Sequence, residues 1–252
     1  FPDYLFHSTA RDIIVHGVPE ADVARHYRPT SALHAITERS DDRLLERKIC
    51  ELAPIFSQRL DEGDRLGITG SVLVNAQRPT SDIDFVLYGR KNFASARVAL
   101  REAIAAGRVQ PLTEAMWRDA YLRRGCSLTF DDFFWHERRK HNKCAFDGTK
   151  VDISGVDREP EFARQPAQKT QQAVITTAVV DDSGAFDYPA TYKVSHPEVS
   201  EVVSFTPTYT GQALEGEVVE AAGWRERSSD GECRLVVGTS REAPGEYLRV
   251  IR

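Results

Sequence analysis

The sequence predicts an α+β fold built in two parts, residues 1–165 and residues 166–252. Three observations predict it. Apolar residues with helical spacing alternate with strand-like runs through the first part, whereas the second part contains short strand-like runs separated by Gly, Pro, Asp and Ser. Between them, residues 158–170 contain two prolines and mixed charges, which is typical of a linker.

Composition limits the classes of protein that fit. The 252 residues are 41% hydrophobic and 28% charged, as in ordinary globular proteins. No apolar run approaches the roughly 20 residues that cross a bilayer, and the first residues do not resemble a secretory leader. The four cysteines lie far apart without a CxxC pair, which favours reduced thiols over zinc or disulfides. We therefore expect a cytoplasmic protein without a membrane partner.

The net charge of −5 is unevenly distributed. Residues 1–165 contain 25 Lys and Arg against 25 Asp and Glu, whereas residues 166–252 contain 8 against 13. Because phosphate binding needs positive surface, a broad nucleic-acid groove in the second part is disfavoured. The alternative is that aromatic side chains there stack bases, as oligonucleotide-binding (OB) folds do.

The elements of the first part follow from periodicity and turn residues. Apolar runs flanking polar residues 9–12 predict an N-terminal β-hairpin. Apolar spacing predicts helices at residues 41–62, 92–106, 111–124 and 130–140, and Pro54 is expected to kink or divide the first of them. Short strands are predicted at residues 65–68, 83–88 and 150–154, and a brief helical or bent segment at residues 71–74.

The second part is predicted to be a small antiparallel barrel or sandwich, with an OB-like barrel as one form of it. The strand-like runs on which this prediction depends are residues 174–180, 191–194, 201–205, 216–219, 234–237 and 246–251.

The most informative string is residues 67–88. Side chains alternate along a strand, so Asp82 and Asp84 point the same way while Ile83 and Phe85 point into the core. Two neighbouring carboxylates repel each other, and a divalent cation relieves that repulsion. Magnesium takes oxygen ligands from one or two carboxylates together with substrate phosphates. The spacing therefore predicts a magnesium site at Asp82 and Asp84.

A glycine turn precedes these carboxylates. Gly70 permits a tight turn and close approach to a ligand, and Ser71 offers a hydroxyl and an N–H to phosphate oxygens. Ten residues separate Ser71 from Asp82, enough for a short helix and a return into the neighbouring strand. A Gly-Ser pair or an Asp-x-Asp alone is ordinary in a structural role, but together they predict a cleft for in-line transfer of a nucleotidyl group.

This string resembles the signature of the DNA polymerase β-like nucleotidyltransferase superfamily: an apolar residue, Gly, Gly or Ser, a spacer, then Asp-apolar-Asp-apolar. The resemblance implies a mixed twisted sheet backed by helices and transfer of a nucleoside monophosphate from a nucleoside triphosphate such as ATP to a hydroxyl, with Mg²⁺ or Mn²⁺. It also implies a third carboxylate on a later strand, which helps bind the metal and accepts the proton of the attacking hydroxyl. Asp152 matches that position; Asp147 is the reserve candidate, although Asp147-Gly148 is typical of a hairpin turn.

The layout is similar to that of predicted archaeal nucleotidyltransferases, with an N-terminal hairpin, a transferase core, an Arg/Lys-rich helix and a β-rich tail. The resemblance leaves the acceptor open among nucleic-acid 3′ ends, proteins and small molecules, and the base of the nucleotide is equally open. The alternative function is a non-catalytic nucleotide- or nucleic-acid-binding regulator, for example an antitoxin-like partner.

A basic segment, residues 135–143, precedes the predicted strand of Asp152. If it is helical, His136, Arg139, Lys140 and Lys143 share one face. Such cations suit the charge of a triphosphate, so we expect Arg139, Lys140 and Lys143 to contact phosphates. The alternative is an ordinary solvated helix face.

Overall fold

The computed structural model describes residues 1–8, 13–39, 43–60, 65–156, 167–228, 231–240 and 243–252. The fold is mixed α+β, as the sequence predicts. The chain divides into two compact units. The core unit consists of His26–Asp119 and Arg138–Glu159, and the β-rich unit consists of Phe1–Arg25, Ala120–Glu137 and Pro160–Arg252.

The helices of the described residues are α1 (Pro29–Glu38), α2 (Leu44–Ser57), α3 (Gly70–Leu73), α4 (Arg90–Ala105), α5 (Glu114–Arg124) and α6 (Phe130–Arg139). Short 3₁₀ turns occupy Pro2–Tyr4, Glu20–Asp22 and Pro207–Tyr209. Within the described ranges, no helix has both the length and the apolar character needed to cross a membrane.

The described strands are β1 (Leu5–Ser8), β2 (Ile13–His16), β3 (Leu66–Ile68), β4 (Ile83–Tyr88), β5 (Lys143–Phe146), β6 (Thr149–Val156), β7 (Ala167–Asp181), β8 (Ala190–Val194), β9 (Glu201–Ser204), β10 (Val218–Ser228), β11 (Cys233–Val237) and β12 (Tyr247–Val250). Each predicted strand overlaps a strand of the structure, and β7 is longer than predicted. Strand β10 shares only residues 218–219 with its predicted run, and β5 was not predicted. β1 and β2 form the predicted antiparallel hairpin.

A mixed four-stranded sheet organises the core unit, in the order β3-β4-β6-β5. The central pair, β4 and β6, is parallel, and the two outer pairs are antiparallel. Helix α4 packs against β4 and β6. Helix α2 places the fully buried ring of Phe56 against that of Phe85 in β4, with 5.2 Å between the ring centroids. Apolar packing on one side thus fixes the strand that carries Asp84.

Two helices of the core unit differ from the sequence expectations. Helix α1 has no counterpart among them; it begins at Pro29, which suits a first helical turn, and it buries Leu33 and Ile36. Helix α2 is continuous through Pro54, so the expected division there is wrong. Pro54 lies three residues before the last residue of α2, Ser57, so only the last turn of the helix follows it.

The expectation of one basic helical face is also wrong. Helix α6 ends at Arg139, and His141 adopts a left-handed φ of 51° that turns the chain away from the helix axis. Lys143 then begins β5. His136, Arg139, Lys140 and Lys143 therefore do not share a helical surface.

The predicted turn at Asp147-Gly148 is confirmed, with φ of 45° and 74° at the two residues joining β5 to β6. The buried ammonium group of Lys48 in α2 donates to the carbonyl oxygen of Asp147 at 2.7 Å and to Oγ1 of Thr149 at 2.9 Å. The hairpin that carries the predicted third carboxylate is thereby tied to a helix of the same unit.

The β-rich unit contains a six-stranded sheet in the order β11-β9-β8-β7-β10-β12, with a further pairing of β11 to β10. The pairings of β7, β8, β9, β11 and β10 therefore run in a closed circuit. Strand β10 closes it by pairing with β7 along one edge and with β12 and then β11 along the other. Tyr192, Val202 and Leu235 are among its fully buried side chains.

The predicted linker, residues 158–170, is described only in part. Residues 158–166 lie outside the described residues. Residues 167–170 belong to β7 and pair with β10, so that end of the stretch is a strand rather than a linker.

Replacing Phe56 by Ala is expected to lower the free energy of unfolding by about 3–5 kcal/mol, because it leaves a cavity against Phe85. Urea denaturation measures the loss. Leu44→Ala, an exposed position of the same helix, is the control and is expected to change stability by less than about 0.5 kcal/mol. Equal losses in the two variants would contradict the packing described here.

Candidate functional site

The row of carboxylates predicted from the sequence is centred on the parallel pairing of β4 with β6. In that pairing Asp84 and Asp152 are register partners. Register partners on neighbouring strands point to the same face of a sheet. The residues that alternate with them, including Ile83 and Ile153, are buried. The structure therefore brings Asp84 and Asp152 together on the face opposite the apolar core.

Gly70 lies against the first of these carboxylates. It adopts a φ of +65°, and a Cβ placed on it would lie 2.2 Å from Oδ2 of Asp84. The amide of Thr69 donates to the carbonyl oxygen of Asp84 at 2.8 Å, which fixes the turn to the strand. Ser71 follows in α3 and is half-buried. The glycine turn and Asp84 are thus adjacent, as the sequence spacing predicts.

Lys150 bridges two carboxylates of the site. Its Nζ donates to Oδ2 of Asp82 at 3.0 Å and to Oδ2 of Asp152 at 2.8 Å. Since one ammonium group reaches both oxygens, Asp82 lies on the same side as Asp152. Lys150 is not among the residues predicted from the sequence, although its position two residues before Asp152 on a strand places it on the same face.

The electrostatics of the site reflect crowded negative charge. Burial raises the pKa of Asp84, the neighbouring Asp152 and Asp82 raise it further, and Lys150 offsets part of the rise. Burial by itself would lower the pKa of Lys150, but the contacts with Asp152 and Asp82 raise it above its usual value. In addition, Oδ1 of Asp152 is buried without a hydrogen-bond partner. The site therefore has more negative charge than Lys150 alone compensates.

The fit to a metal ion is partial. Among the residues that the structure describes, no group of three or more His, Cys, Asp or Glu side chains is gathered closely enough to hold a metal ion. The donor chemistry nevertheless suits magnesium, because every candidate ligand is a carboxylate oxygen and one of them lacks a partner. The ammonium group of Lys150 is held between Asp82 and Asp152, where a shared cation would bind.

The three basic residues expected to contact phosphates lie in different environments. Lys143 is the register partner of Asp152 across the antiparallel β5–β6 pair, so it joins the same row of side chains. Its Nζ donates to Oδ1 of Asn142 at 3.4 Å. Lys140 is only 2% exposed. Arg139 is half-buried at the end of α6. Register places only Lys143, of these three, beside the carboxylates.

His136, the remaining member of the basic segment, has a structural environment in the β-rich unit. It is almost fully buried, and its Nε2 accepts the amide N–H of Val250 at 3.0 Å. The proton therefore resides on Nδ1, which donates to the carbonyl oxygen of Asp132 at 2.6 Å. Both ring nitrogens are used within the fold, so a phosphate-binding role for this histidine is not supported.

The four cysteines carry free thiols, in agreement with the sequence expectation. Cys144 is buried, and burial raises the pKa of its thiol to about 12. A thiol with that pKa stays protonated at neutral pH and is unreactive. We therefore assign Cys144 no part in the site.

The fold and site define an α+β protein whose mixed core sheet carries a row of carboxylates bridged by a lysine. Comparison with known proteins places it in a family. The chain is 35% identical over 266 aligned positions to the uncharacterized protein MJ1086 of Methanocaldococcus jannaschii, and the alignment covers 100% of this chain and 78% of that protein. The chain belongs to the same family as MJ1086. No family model matches the chain, and no solved structure matches it.

Gly70→Ala is expected to lower the free energy of unfolding by more than an alanine at an uncrowded left-handed position would. Its added Cβ would meet the Asp84 carboxylate. The matched control is Gly107→Ala, whose φ of +70° is similar but whose Cβ would meet nothing within 4 Å. Urea denaturation is expected to give a loss of about 1–2 kcal/mol for Gly107→Ala and a larger loss for Gly70→Ala.

A double-mutant cycle tests whether the contact with Asp84 causes that excess. Combining Gly70→Ala with Asp84→Ala removes the carboxylate that the new methyl group would strike. We expect a favourable coupling energy of about 0.5–3 kcal/mol. Additive losses, or equal losses at Gly70 and Gly107, would contradict the close approach of the turn to Asp84.

Asp84→Asn is expected to stabilise the protein at neutral pH in a metal-free buffer with EDTA. Because the pKa of Asp84 is raised in the folded state, stability is lost as pH rises through that pKa and Asp84 ionises. The substitution removes that loss, a gain of about 1 kcal/mol as at other functional sites. The gain should disappear below about pH 4, where Asp84 of the natural protein is protonated.

Urea denaturation of both proteins at neutral and acid pH measures the difference. Asp119→Asn, an exposed position on α5, is the control and should change stability by less than about 0.5 kcal/mol at either pH. A pH-independent effect of Asp84→Asn would show that ionisation of the buried Asp84 carboxylate is not its cause.

Proposed function

We propose that the chain is a metal-dependent nucleotidyltransferase of the DNA polymerase β-like superfamily. The reaction is transfer of a nucleoside monophosphate from a nucleoside triphosphate to a hydroxyl acceptor, with release of pyrophosphate. The observation that carries the proposal is the pairing of Asp84 with Asp152 beside the Gly70 turn. Two carboxylates and a close backbone approach are what a metal–phosphate complex needs from a protein.

Asp82, Asp84 and Asp152 would hold Mg²⁺, or Mn²⁺ in its place, which when bound neutralises phosphate charge and steadies the attacking and leaving oxygens. Ser71 and the adjacent backbone hold phosphate oxygens at the turn. Lys143 lies in the same row as Asp152, and we assign it the addition of positive charge to the phosphates. Arg139 and Lys140 remain part of the proposal only as cations that would need to change their environment to reach phosphate.

Asp152 is the proposed proton acceptor. The acceptor hydroxyl oxygen bonds to the α-phosphorus while the bond from that phosphorus to the bridging oxygen breaks, and pyrophosphate leaves with the bond's electron pair. The hydroxyl proton passes to Oδ1 of Asp152, the oxygen without a hydrogen-bond partner. The other oxygen of that carboxylate, Oδ2, is the one that Lys150 contacts in the structure.

The same proposal assigns a role to each of the two larger sheets. The β3-β4-β6-β5 sheet, with its mixed strand directions, represents the transferase core. The closed circuit of strands in the β-rich unit represents a small barrel, and we assign it to recognition of the acceptor. Free cysteines are consistent with action in the reducing cytoplasm.

A second function is favoured by one observation. The Lys150 contacts occupy oxygens of Asp82 and Asp152, and no compact metal-binding group exists among the described residues as they stand. A chain in which Lys150 holds those oxygens permanently would bind a nucleotide, or a nucleic acid, without transferring it. Such a protein would be a regulator rather than an enzyme.

Incubation with each labelled nucleoside triphosphate, Mg²⁺ or Mn²⁺ and a panel of acceptors tests the two functions. We expect transfer with at least one pair and a loss of about 10³-fold or more in Asp82→Ala/Asp84→Ala, because residues that act as a unit fail together. Asp119→Ala is the control and should retain full activity. Nucleotide binding without turnover would support the regulator, and full activity of the double variant would exclude the proposed mechanism.

A further inference from the structure

The contacts of Lys150 resemble those of a bound cation. Its side chain is only 12% exposed, and Nζ lies at 3.0 Å and 2.8 Å from oxygens of two different carboxylates. These two carboxylates come from separate segments of the chain, one just before β4 and the other within β6. A single positive charge therefore links the two strands at the site that the proposed function assigns to a metal.

One ammonium group does not satisfy the whole site. Three carboxylates can contribute three negative charges, whereas Lys150 and Lys143, which lies in the same row, carry two positive charges. The hydrogen bonds of Lys150 reach Asp82 and Asp152, while the carboxylate of Asp84 lies beside the Gly70 turn. Oδ1 of Asp152 also lacks a hydrogen-bond partner. A divalent cation would supply more charge to the same oxygens.

An ammonium group and a divalent cation exclude each other at these oxygens. Both would lie within about 3 Å of the same atoms, where like charges repel strongly in a partly buried site. A lysine has a long flexible side chain, so moving its ammonium group requires less free energy than moving a carboxylate on a paired strand. The ammonium group is therefore the partner that moves.

We infer that Lys150 is the resident counter-ion of the carboxylate row and that a divalent cation binds there by displacing its ammonium group from Asp82 and Asp152. The inference rests on the proposed function in one respect, that these carboxylates are a metal site. It adds that the chain carries a built-in competitor for the metal, so that metal affinity is set in part by Lys150.

Titration with Mn²⁺, followed by electron paramagnetic resonance of the free ion, tests the inference without any nucleotide. Lys150→Met removes the charge and keeps most of the side-chain length, and we expect the dissociation constant for Mn²⁺ to fall about tenfold. Lys150→Arg keeps a competing cation and is expected to bind Mn²⁺ no more tightly than the natural protein. Lys193→Met removes an exposed Lys–Asp pair in the β-rich unit and should leave Mn²⁺ affinity unchanged.

A thermal measurement separates displacement from a merely structural role. In EDTA, Lys150→Met should unfold at a lower temperature than the natural protein, because its carboxylates lose their counter-ion. Saturating Mn²⁺ should then raise the unfolding temperature of Lys150→Met by more than it raises that of the natural protein. A structural lysine would lower both temperatures without changing the shift caused by the metal.

Unchanged or weaker Mn²⁺ binding by Lys150→Met would overturn the inference, as would failure of both proteins to bind Mn²⁺. The result for Lys150 can be distinguished from the result for the proposed nucleotidyltransferase activity. Tighter Mn²⁺ binding without nucleotide turnover would leave the inference standing and remove the enzyme, whereas turnover with unaltered metal affinity would do the reverse.

Discussion

The parallel pairing of β4 with β6 places Asp84 directly beside Asp152 on one face of the core sheet. Like charges at neighbouring positions repel, and the strands cannot separate to relieve that repulsion because their backbones are hydrogen-bonded together. The other features of the site reflect this constraint together with burial, which is the largest cause of the raised pKa of Asp84. Lys150 supplies positive charge, the pKa of Asp84 is raised, and one oxygen of Asp152 is left without a partner.

The repulsion persists because the opposite face of the same strands is well packed. Ile83, Phe85, Val151 and Ile153 alternate with the acidic residues and are buried beneath the sheet. Phe56 of α2 fixes β4 from below, and Lys48 of the same helix holds the turn that leads into β6. Packing thus compensates for a charge arrangement that would not form by itself, which is the usual relation between a fold and a functional site.

The sequence predicts most of this fold, because local patterns determine most of its elements. Alternation in β4 places Asp84 opposite the core, and the apolar periodicity of α4 is unmistakable. Local patterns failed where a single backbone angle or a tertiary contact decides the structure. The basic segment reads as a continuous helix until His141 takes a left-handed φ. Helix α1 does not stand out by periodicity because Leu33 and Ile36 are its only large apolar residues.

The residues of the candidate site also include some that the local sequence determines and some that only a tertiary contact determines. Gly70 and the two carboxylates of the Asp-x-Asp string are visible in the sequence because a turn and a strand determine their relation. Lys150 was visible too, since strand alternation places it with Asp152, but only as one more surface lysine. Its contact with Asp82 joins residues 68 positions apart and depends on sheet register, which the sequence does not specify.

The proposed catalytic function and the regulatory alternative would rest on the same geometry. They would differ in whether a divalent cation or the ammonium group of Lys150 binds the carboxylates. Where a divalent cation outcompetes the ammonium group of Lys150, three carboxylates are free to organise a metal and its nucleotide. Where the ammonium group prevails, Asp82 and Asp152 stay bound to it. The cleft can then bind a nucleotide but cannot transfer it. Because the two states involve the same oxygens, the balance is a difference between two cation affinities rather than a difference in fold. Under this proposal, a change at Lys150 alone would shift that balance without altering the sheet.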